Sequence, residues 1–334
     1  MPDILAHAIF CQEVCEGLDD INIKSILNEN FKLYTVGSQG PDIFFYYKPV
    51  LPTEKIVNDA GYNMHNANSS AFFIDAIRKL ETMQGREYET FLSYIFGFIS
   101  HFYLDKKISP YLAALEKSGA FRFNGDRTGI SLNEAQSLLD ARLWQVKKGT
   151  DSILVDNSAL INMTALPDTV IEHFIEYFEK AHDIYLCDYH ITGSLKSMVK
   201  VLRFLYDPGN KKKKFVDFVE RIIGEIKIPK KRFSLENSGN IDILNLGRHE
   251  WGPVRKDGTV SAGRVEDLLD EAREECINCL NNISRHLENG EHMDVREALS
   301  ELGNLTDVPG GQEEQPLKKR MIDRLVPKKY NAVN

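Results

Sequence analysis

Helical periodicity dominates the pattern of apolar and polar positions along this chain. Apolar residues recur at i, i+3, i+4 and i+7 with polar residues between them. The clearest segments are SAFFIDAIRKLETM, YETFLSYIFGFISHFYLD, LNEAQSLLDARLWQVKK, PDTVIEHFIEYFEKAHDIYL and GRVEDLLDEAREECINCLNNISRHLE. Ser131 with Glu134 three residues later is typical of a capping box at a helix start. Alternating β patterns are short and rare, so the sequence predicts an all-α protein.

Interruptions of the helical pattern suggest how the chain is divided. They fall at residues 37–42, 123–129, 207–214 and 229–240. We predict a multi-helix domain over residues 1–206 and a C-terminal helical extension over 207–305. Residues 306–334 are rich in proline, glycine and charge, which is typical of a flexible tail. The lysine run 211–214 is interpreted as a solvated helix start rather than a phosphate-binding patch.

Charge and cysteine content restrict the binding partners and the cellular compartment that we expect for this protein. The 41 Lys and Arg against 49 Asp and Glu give a net charge of -8, which does not favour binding to nucleic acid. Five cysteines form an odd, sparse set that fits a reducing compartment. The start of the chain does not have the pattern of a secretory signal. No stretch supplies the roughly twenty consecutive apolar residues of a membrane-spanning helix. We therefore expect a cytoplasmic protein without a transmembrane segment.

His101 and Asp105 lie in the strongly apolar segment YIFGFISHFYLD. Burying a polar group without a partner costs roughly 2–7 kcal/mol, so both side chains need one. Residues at i and i+4 project from the same face of a helix and can reach one point in space. The two side chains could satisfy each other by a hydrogen bond, or both could bind a metal ion.

Three further fragments carry residues of the same chemistry. MPDILAHAIF contains His7, TVGSQGPDIFFYY contains Asp42 after a glycine-rich turn, and GYNMHN contains His65. Each has an ordinary interpretation when it is taken alone: an interfacial histidine, a turn or cap residue, and an exposed histidine in a polar stretch. Together with His101 and Asp105 they form a nitrogen and oxygen ligand set that suits zinc or a similar divalent ion.

In this order, these fragments resemble the bacterial zinc-dependent phospholipase C family, in a cytoplasmic form without a signal sequence. The resemblance is carried by MPDILAHAIF, QGPDIFFYY, Met64-His65 and GFISHFYLDKKISPYL, and more weakly by LYDPGNKKKK and DILNLGRHEW. It implies a phospholipase C/P1 nuclease-like helical domain with a trinuclear zinc site. The implied activity is hydrolysis of a phosphodiester, with a phospholipid or another small phosphodiester as substrate.

The resemblance also implies a role for each matching residue. His7 corresponds to a ligand of one zinc ion, and His65 and His101 correspond to ligands of a second. Asp105 corresponds to the carboxylate that bridges these two ions. Asp42 corresponds to the site carboxylate that is often assigned as general base.

The chain departs from the family pattern at the ligands of the third implied zinc ion. Ser109 stands where the pattern has histidine, and Ile130 stands where a second histidine is expected, four residues before Glu134. Only Glu134 remains of the three protein ligands, so we expect one or two bound zinc ions and a weak or lost third site. Whether the amine of Pro2 could bind metal after removal of Met1 is left open. Since one electrostatic stabiliser is worth about 10²–10³ in rate, we expect slow or absent turnover.

A non-catalytic function is the alternative to phosphodiester hydrolysis. The chain could be a degenerate member that keeps part of the metal site for stability and serves as a binding or scaffold protein. A nuclease-like phosphodiesterase is less favoured because the net charge is acidic. The CINC segment at 276–279 is interpreted as core cysteines. The later histidines His173, His182 and His190 are interpreted as structural or exposed, although one of them could replace a missing ligand.

Overall fold

The computed structural model describes residues 4–48, 55–66, 69–118, 132–163, 165–208, 241–252, 260–289 and 299. These residues are mainly helical, and the β-type pairing recorded among them is one isolated bridge between Trp251 and Ser261. The prediction of an all-α protein is confirmed.

Eleven α-helices of the described residues are numbered here in chain order. They are α1 Ile4–Gly17, α2 Ile21–Glu29, α3 Phe31–Gly37, α4 Lys55–Asn66, α5 Ser70–Leu80, α6 Gly85–Ser118, α7 Leu132–Lys148, α8 Asn157–Leu160, α9 Asp168–His182, α10 Asp188–Leu205 and α11 Val265–Asn289. Two 3₁₀ helices, Gly40–Tyr46 and Ser152–Leu154, lie between them.

Helix α6 is the centre of the structure. It is 34 residues long, and its middle part is buried on all sides because α1, α3, α5, α9 and α11 pack around it. This position explains why the segment is apolar on nearly every face, since a helix that is hydrophobic all round is a buried one. The titratable residues of α6 therefore lie in the protein interior.

Helices α3 and α6 approach each other closely through two glycines. A Cβ atom at Gly37 would overlap the carbonyl oxygen of Tyr94, and one at Gly97 would overlap the carbonyl oxygen of Tyr34. The missing side chains allow the two backbones to touch. As a result, the end of α3 and the residues that follow it lie directly against the part of α6 that carries His101.

The described residues after 240 pack against α6. The hydroxyl of Tyr111 donates to the carbonyl oxygen of Ile243 at 2.9 Å, and its ring meets Trp251 edge-on at 5.1 Å between centroids. Lys107 forms an ion pair with Glu275 of α11 at 2.6 Å. These contacts join the predicted extension to the predicted first domain, whereas the boundary at residue 206 stays a prediction.

Several expectations fall outside what the structure describes or tests. Ser131, the lysine run 211–214 and the tail 306–334 lie outside the described residues. None of the described helices has both the length and the apolar character that crossing a bilayer requires. The cytoplasmic location stays a prediction.

Candidate metal centre

Four helical elements bring five of the predicted ligands together. His7 comes from α1, Asp42 from the 3₁₀ helix 40–46, His65 from α4, and His101 and Asp105 from α6. They form two overlapping groups, one of His7, His101 and Asp105 and one of Asp42, His65 and His101. Within each group the possible ligand atoms lie within 4.8 Å of one another. Each group could hold a metal ion.

The Asp105 carboxylate lies at the centre of the first group and is only 1% exposed. Its Oδ1 is 3.6 Å from Nε2 of His7, and its Oδ2 is 3.5 Å from Nε2 of His101. Neither oxygen has a hydrogen-bond donor among the residues that the structure describes. The distances are too long for N–H···O hydrogen bonds, which span 2.7–3.2 Å. Two ligand atoms bound tetrahedrally to one zinc ion lie about 3.3–3.6 Å apart, so this spacing fits a shared ion.

Two of the histidines are held by their other ring nitrogen. Nδ1 of His101 lies 3.1 Å from the carbonyl oxygen of Ser38, and Nδ1 of His65 lies 2.8 Å from the carbonyl oxygen of Gly61. A carbonyl only accepts, so Nδ1 carries the proton and Nε2 of the neutral ring carries a lone pair. For His101 that lone pair faces the Asp105 carboxylate, which is repulsive unless a cation lies between them. Histidine ligands of metals are oriented in this way by backbone carbonyls.

Asp42 and His65 form the more open side of the centre. Oδ1 of Asp42 is 3.2 Å from Nε2 of His65, and the Asp42 side chain is 18% exposed. The ring of Phe45 stacks on His65 at 5.6 Å between centroids, and Tyr62 lies 4.9 Å from Phe45. Asp42 is therefore the carboxylate of the centre that is most accessible to water.

The surroundings of His101, Asp105 and His65 shift the pKa values of these side chains in different directions. Burial, together with neighbouring His7 and His65, holds the pKa of His101 well below its usual value, so this ring is neutral at pH 7. Burial raises the pKa of Asp105 to about 7, and the nearby Asp42 carboxylate adds to the rise. Burial by itself would lower the pKa of His65, but the Asp42 carboxylate beside its Nε2 outweighs the effect of burial and raises the pKa. The neutral His101 imidazole next to a carboxylate that is costly to ionise is suited to binding a cation.

Gly40 determines how closely the 3₁₀ helix approaches the centre. Its φ is +52°, and a Cβ atom there would lie 2.5 Å from Cγ and Cδ2 of His101. Both the left-handed backbone and the contact require glycine. Gly40 was not among the predicted site residues, although the Gly-Pro pair before Asp42 is a signal for a special backbone position.

The structure describes fewer of the residues that correspond to the ligands of the third implied ion. Glu134 lies on α7, but its side chain is outside the described residues, as are Ile130 and Pro2. Ser109 lies one turn after Asp105 on α6, and its buried hydroxyl oxygen has no hydrogen-bond partner in the described part of the chain.

The three later histidines that could have replaced a missing ligand have local contacts away from the five-residue centre. Nε2 of His173 is 3.0 Å from the carbonyl oxygen of Phe72, and Nε2 of His182 is 3.1 Å from the hydroxyl of Tyr177. His190 accepts a hydrogen bond at Nδ1 from the backbone of Cys187. None of the three joins a possible metal-binding group among the described residues. By contrast His65, whose polar surroundings are typical of an exposed residue, is only 9% exposed.

An all-helical fold around a buried histidine and carboxylate centre defines a class of proteins that can hold zinc or a similar ion. Residues 6–106 match the sequence model of a family described as zinc dependent phospholipase C. The match confirms the family resemblance for this part of the chain, and it includes His7, Asp42, His65, His101 and Asp105. No curated protein and no solved structure matches the chain.

Proposed function

We propose that this protein is a zinc-dependent hydrolase of phosphodiesters, acting on a phospholipid head group. The matched family is zinc-dependent by its description, and the buried histidines and carboxylates form groups that could hold metal. One or two ions are held by His7, Asp42, His65, His101 and Asp105.

The observation that carries the proposal is the state of the Asp105 carboxylate. It is almost completely buried, and its oxygens face the Nε2 atoms of His7 and His101 at ligand-to-ligand distances. A buried carboxylate that lacks hydrogen-bond donors in the described structure is strongly unfavourable. Metal held by Asp105 together with these rings would remove that cost.

The protein's own residues then have distinct tasks. When bound, zinc supplies positive charge that stabilises a phosphate oxygen and favours the ionisation of water. Asp42, the most exposed carboxylate of the centre, orients the attacking water and accepts its proton. The water oxygen bonds to phosphorus and the P–O bond to the leaving alcohol breaks. The departing oxygen takes up a proton from solvent water, and Asp42 returns to solvent the proton that it accepted. Asp105 and the histidines would hold the metal that binds the phosphate, and they would not contact the substrate themselves.

The loss of third-ion ligands limits the rate in this proposal. Ser109 and Ile130 cannot bind zinc as histidine does, so charge stabilisation on that side of the substrate is weak. One such stabiliser is worth about 10²–10³ in rate. We therefore propose slow turnover with the first two metal positions retained.

The same departures favour a second candidate function. A member that has lost one ion could keep the remaining metal for stability and act as a binding or scaffold protein. This candidate predicts bound zinc and metal-dependent stability without hydrolysis. The two functions therefore differ in turnover and agree in metal content.

Metal analysis and one substitution test the proposal. Purified protein should contain one or two zinc ions per chain and should hydrolyse a chromogenic phosphodiester or phosphatidylcholine in mixed micelles. Asp42→Asn should lower kcat at least 10²-fold, because the amide cannot accept the water proton. Asp75→Asn is the matched control, since Asp75 is an exposed carboxylate of α5 that pairs with Arg78. Protein without zinc would refute both functions, and zinc-bound protein without turnover would leave the scaffold function.

A further inference from the structure

Asp140 of α7 makes a contact that joins two distant parts of the chain. Its side chain is 3% exposed. Its Oδ2 accepts a hydrogen bond from the backbone N–H of Leu5 at 2.7 Å, and its Oδ1 accepts one from the N–H of Ala6 at 3.1 Å. One buried carboxylate thus binds two consecutive amides that lie 134 and 135 residues away.

These amides belong to the first turn of α1, which begins at Ile4. The first N–H groups of a helix have no partner inside the helix, and this end of the helix carries a partial positive charge. α1 has no acidic residue in its own first turn. The carboxylate of Asp140 accepts from these amides as a capping residue does, and it joins the start of α1 to α7.

The next residue after this cap is His7. Its ring stacks on the ring of His101 at 4.5 Å between centroids with an angle of 17°, and its Nε2 faces Asp105. α1 is short and carries His7 within its first turn, so a shift of that turn moves the imidazole by a similar distance. Metal coordination tolerates errors of only about 0.2 Å in ligand distance.

We propose that Asp140 is a positioning residue for the metal centre, which holds His7 in place for metal binding by capping the first turn of α1. This inference rests on the proposed function, because it assumes that His7 binds zinc. Helix α7, which carries Glu134, would thereby hold His7 in position whether or not Glu134 binds metal.

The test is a zinc titration of the metal-free full chain against a chromophoric chelator. Asp140→Asn keeps the size of the side chain but replaces one acceptor oxygen with a donor that opposes an N–H. We expect zinc affinity at the His7 position to fall about 10- to 100-fold, the range seen when a residue supporting a metal ligand is removed. Affinity at the position formed by Asp42, His65 and His101 should stay unchanged.

Asp20→Asn is the matched control. Asp20 caps α2 in the same manner, by accepting from the N–H groups of Asn22 at 2.8 Å and Ile23 at 3.0 Å. α2 carries none of the five residues of the centre. Both variants should lower the melting temperature, but only Asp140→Asn should weaken zinc binding.

A double-mutant cycle separates positioning from general destabilisation. If Asp140 acts through His7, the effect of Asp140→Asn on affinity should vanish when His7→Ala is already present. An equal loss of affinity in the His7→Ala background would overturn the inference, as would an Asp140→Asn variant with the affinity of wild type. If Asp140→Asn does not fold, Asp140→Glu provides the same comparison, since it keeps the charge and displaces the carboxylate by one methylene. Wild-type protein that binds no zinc would refute the proposed function together with this inference, whereas zinc-binding wild type with unaffected variants overturns the inference alone.

Discussion

Replacing Gly40 with alanine tests the geometry of the centre with a single methyl group. The new Cβ would lie 2.5 Å from two ring atoms of His101, whereas ordinary contact begins at about 3.4 Å. The ring or the 3₁₀ helix 40–46 must therefore move by roughly 1 Å. Because Nδ1 of His101 is held by Ser38 and its Nε2 faces Asp105, either movement disturbs the ligand set.

Gly85→Ala separates the backbone cost from the steric cost. Gly85 has φ +57°, close to the +52° of Gly40, but no atom lies within 4 Å of its Cβ position. A left-handed non-glycine residue costs roughly 1–2 kcal/mol, and both variants should lose about this much stability. Gly40→Ala should lose more, and a displacement of 1 Å exceeds the 0.2 Å that zinc coordination tolerates. We expect its zinc affinity to fall at least 10-fold, while Gly85→Ala keeps the affinity of wild type.

Urea denaturation of the metal-free proteins and zinc titration against a chelator measure the two effects separately. Equal stability and equal zinc affinity in the two variants would show that the 3₁₀ helix does not press on His101 as the structure has it. Loss of affinity in Gly85→Ala as well would mean that backbone strain alone, and not the contact, disturbs the centre.

Two further perturbations examine the buried polar residues. His101→Leu/Asp105→Leu removes both side chains of the His101 and Asp105 pair. If the two residues only satisfied each other, the change in stability should be nearly neutral. If they hold metal, the variant should lose zinc, melt at a lower temperature and no longer respond to chelator. Wild type that melts at the same temperature with and without chelator would contradict the metal interpretation. His173 lies away from the centre, and its burial lowers its pKa from 6.5 to about 3. The unfolded histidine takes up a proton that the folded one does not, so stability falls as pH falls below 6.5, by about 2 kcal/mol between pH 7 and pH 5. His173→Gln, which keeps a donor for the carbonyl of Phe72, should lose about 2 kcal/mol less over this interval in urea denaturation, and an identical pH dependence would count against the burial effect.

The sequence predicted the helical fold and the chemistry of the centre because both depend on local patterns. The buried middle of α6 shows its surroundings by being apolar on every face, and the i, i+4 spacing shows that His101 and Asp105 share one side. The other candidate ligands, His7, Asp42 and His65, became recognisable through the order of their fragments. Each of the three has an ordinary interpretation when it is considered alone.

What the sequence did not show depends on contacts between distant segments. Asp140 is an ordinary polar position in the pattern LLDARLW, and only the folded chain places it at the start of α1. The carbonyl oxygens of Ser38 and Gly61, which orient His101 and His65, belong to the backbone. The residue types at these two positions therefore do not predict the contacts. The burial of His65 likewise follows from how α4 packs against the 3₁₀ helix, and its neighbours in sequence suggest the opposite.

The distances between His101 and Asp105 therefore distinguish a hydrogen-bonded pair from a pair of metal ligands. A pair that satisfied itself would lie at hydrogen-bond distance, and one of its members would carry the shared proton on the facing atom. Instead the proton of His101 is engaged by Ser38, and its Nε2 remains 3.5 Å from the carboxylate. The folded chain opposes the ionised form of Asp105, as its raised pKa of about 7 indicates, and offers it no donor among the described residues. A cation held by Asp105 and the facing rings relieves this cost in the native state and has no equivalent in the unfolded chain. If metal binds here as we propose, its binding is part of the folding free energy, and a chelator should destabilise the protein even if turnover is slow.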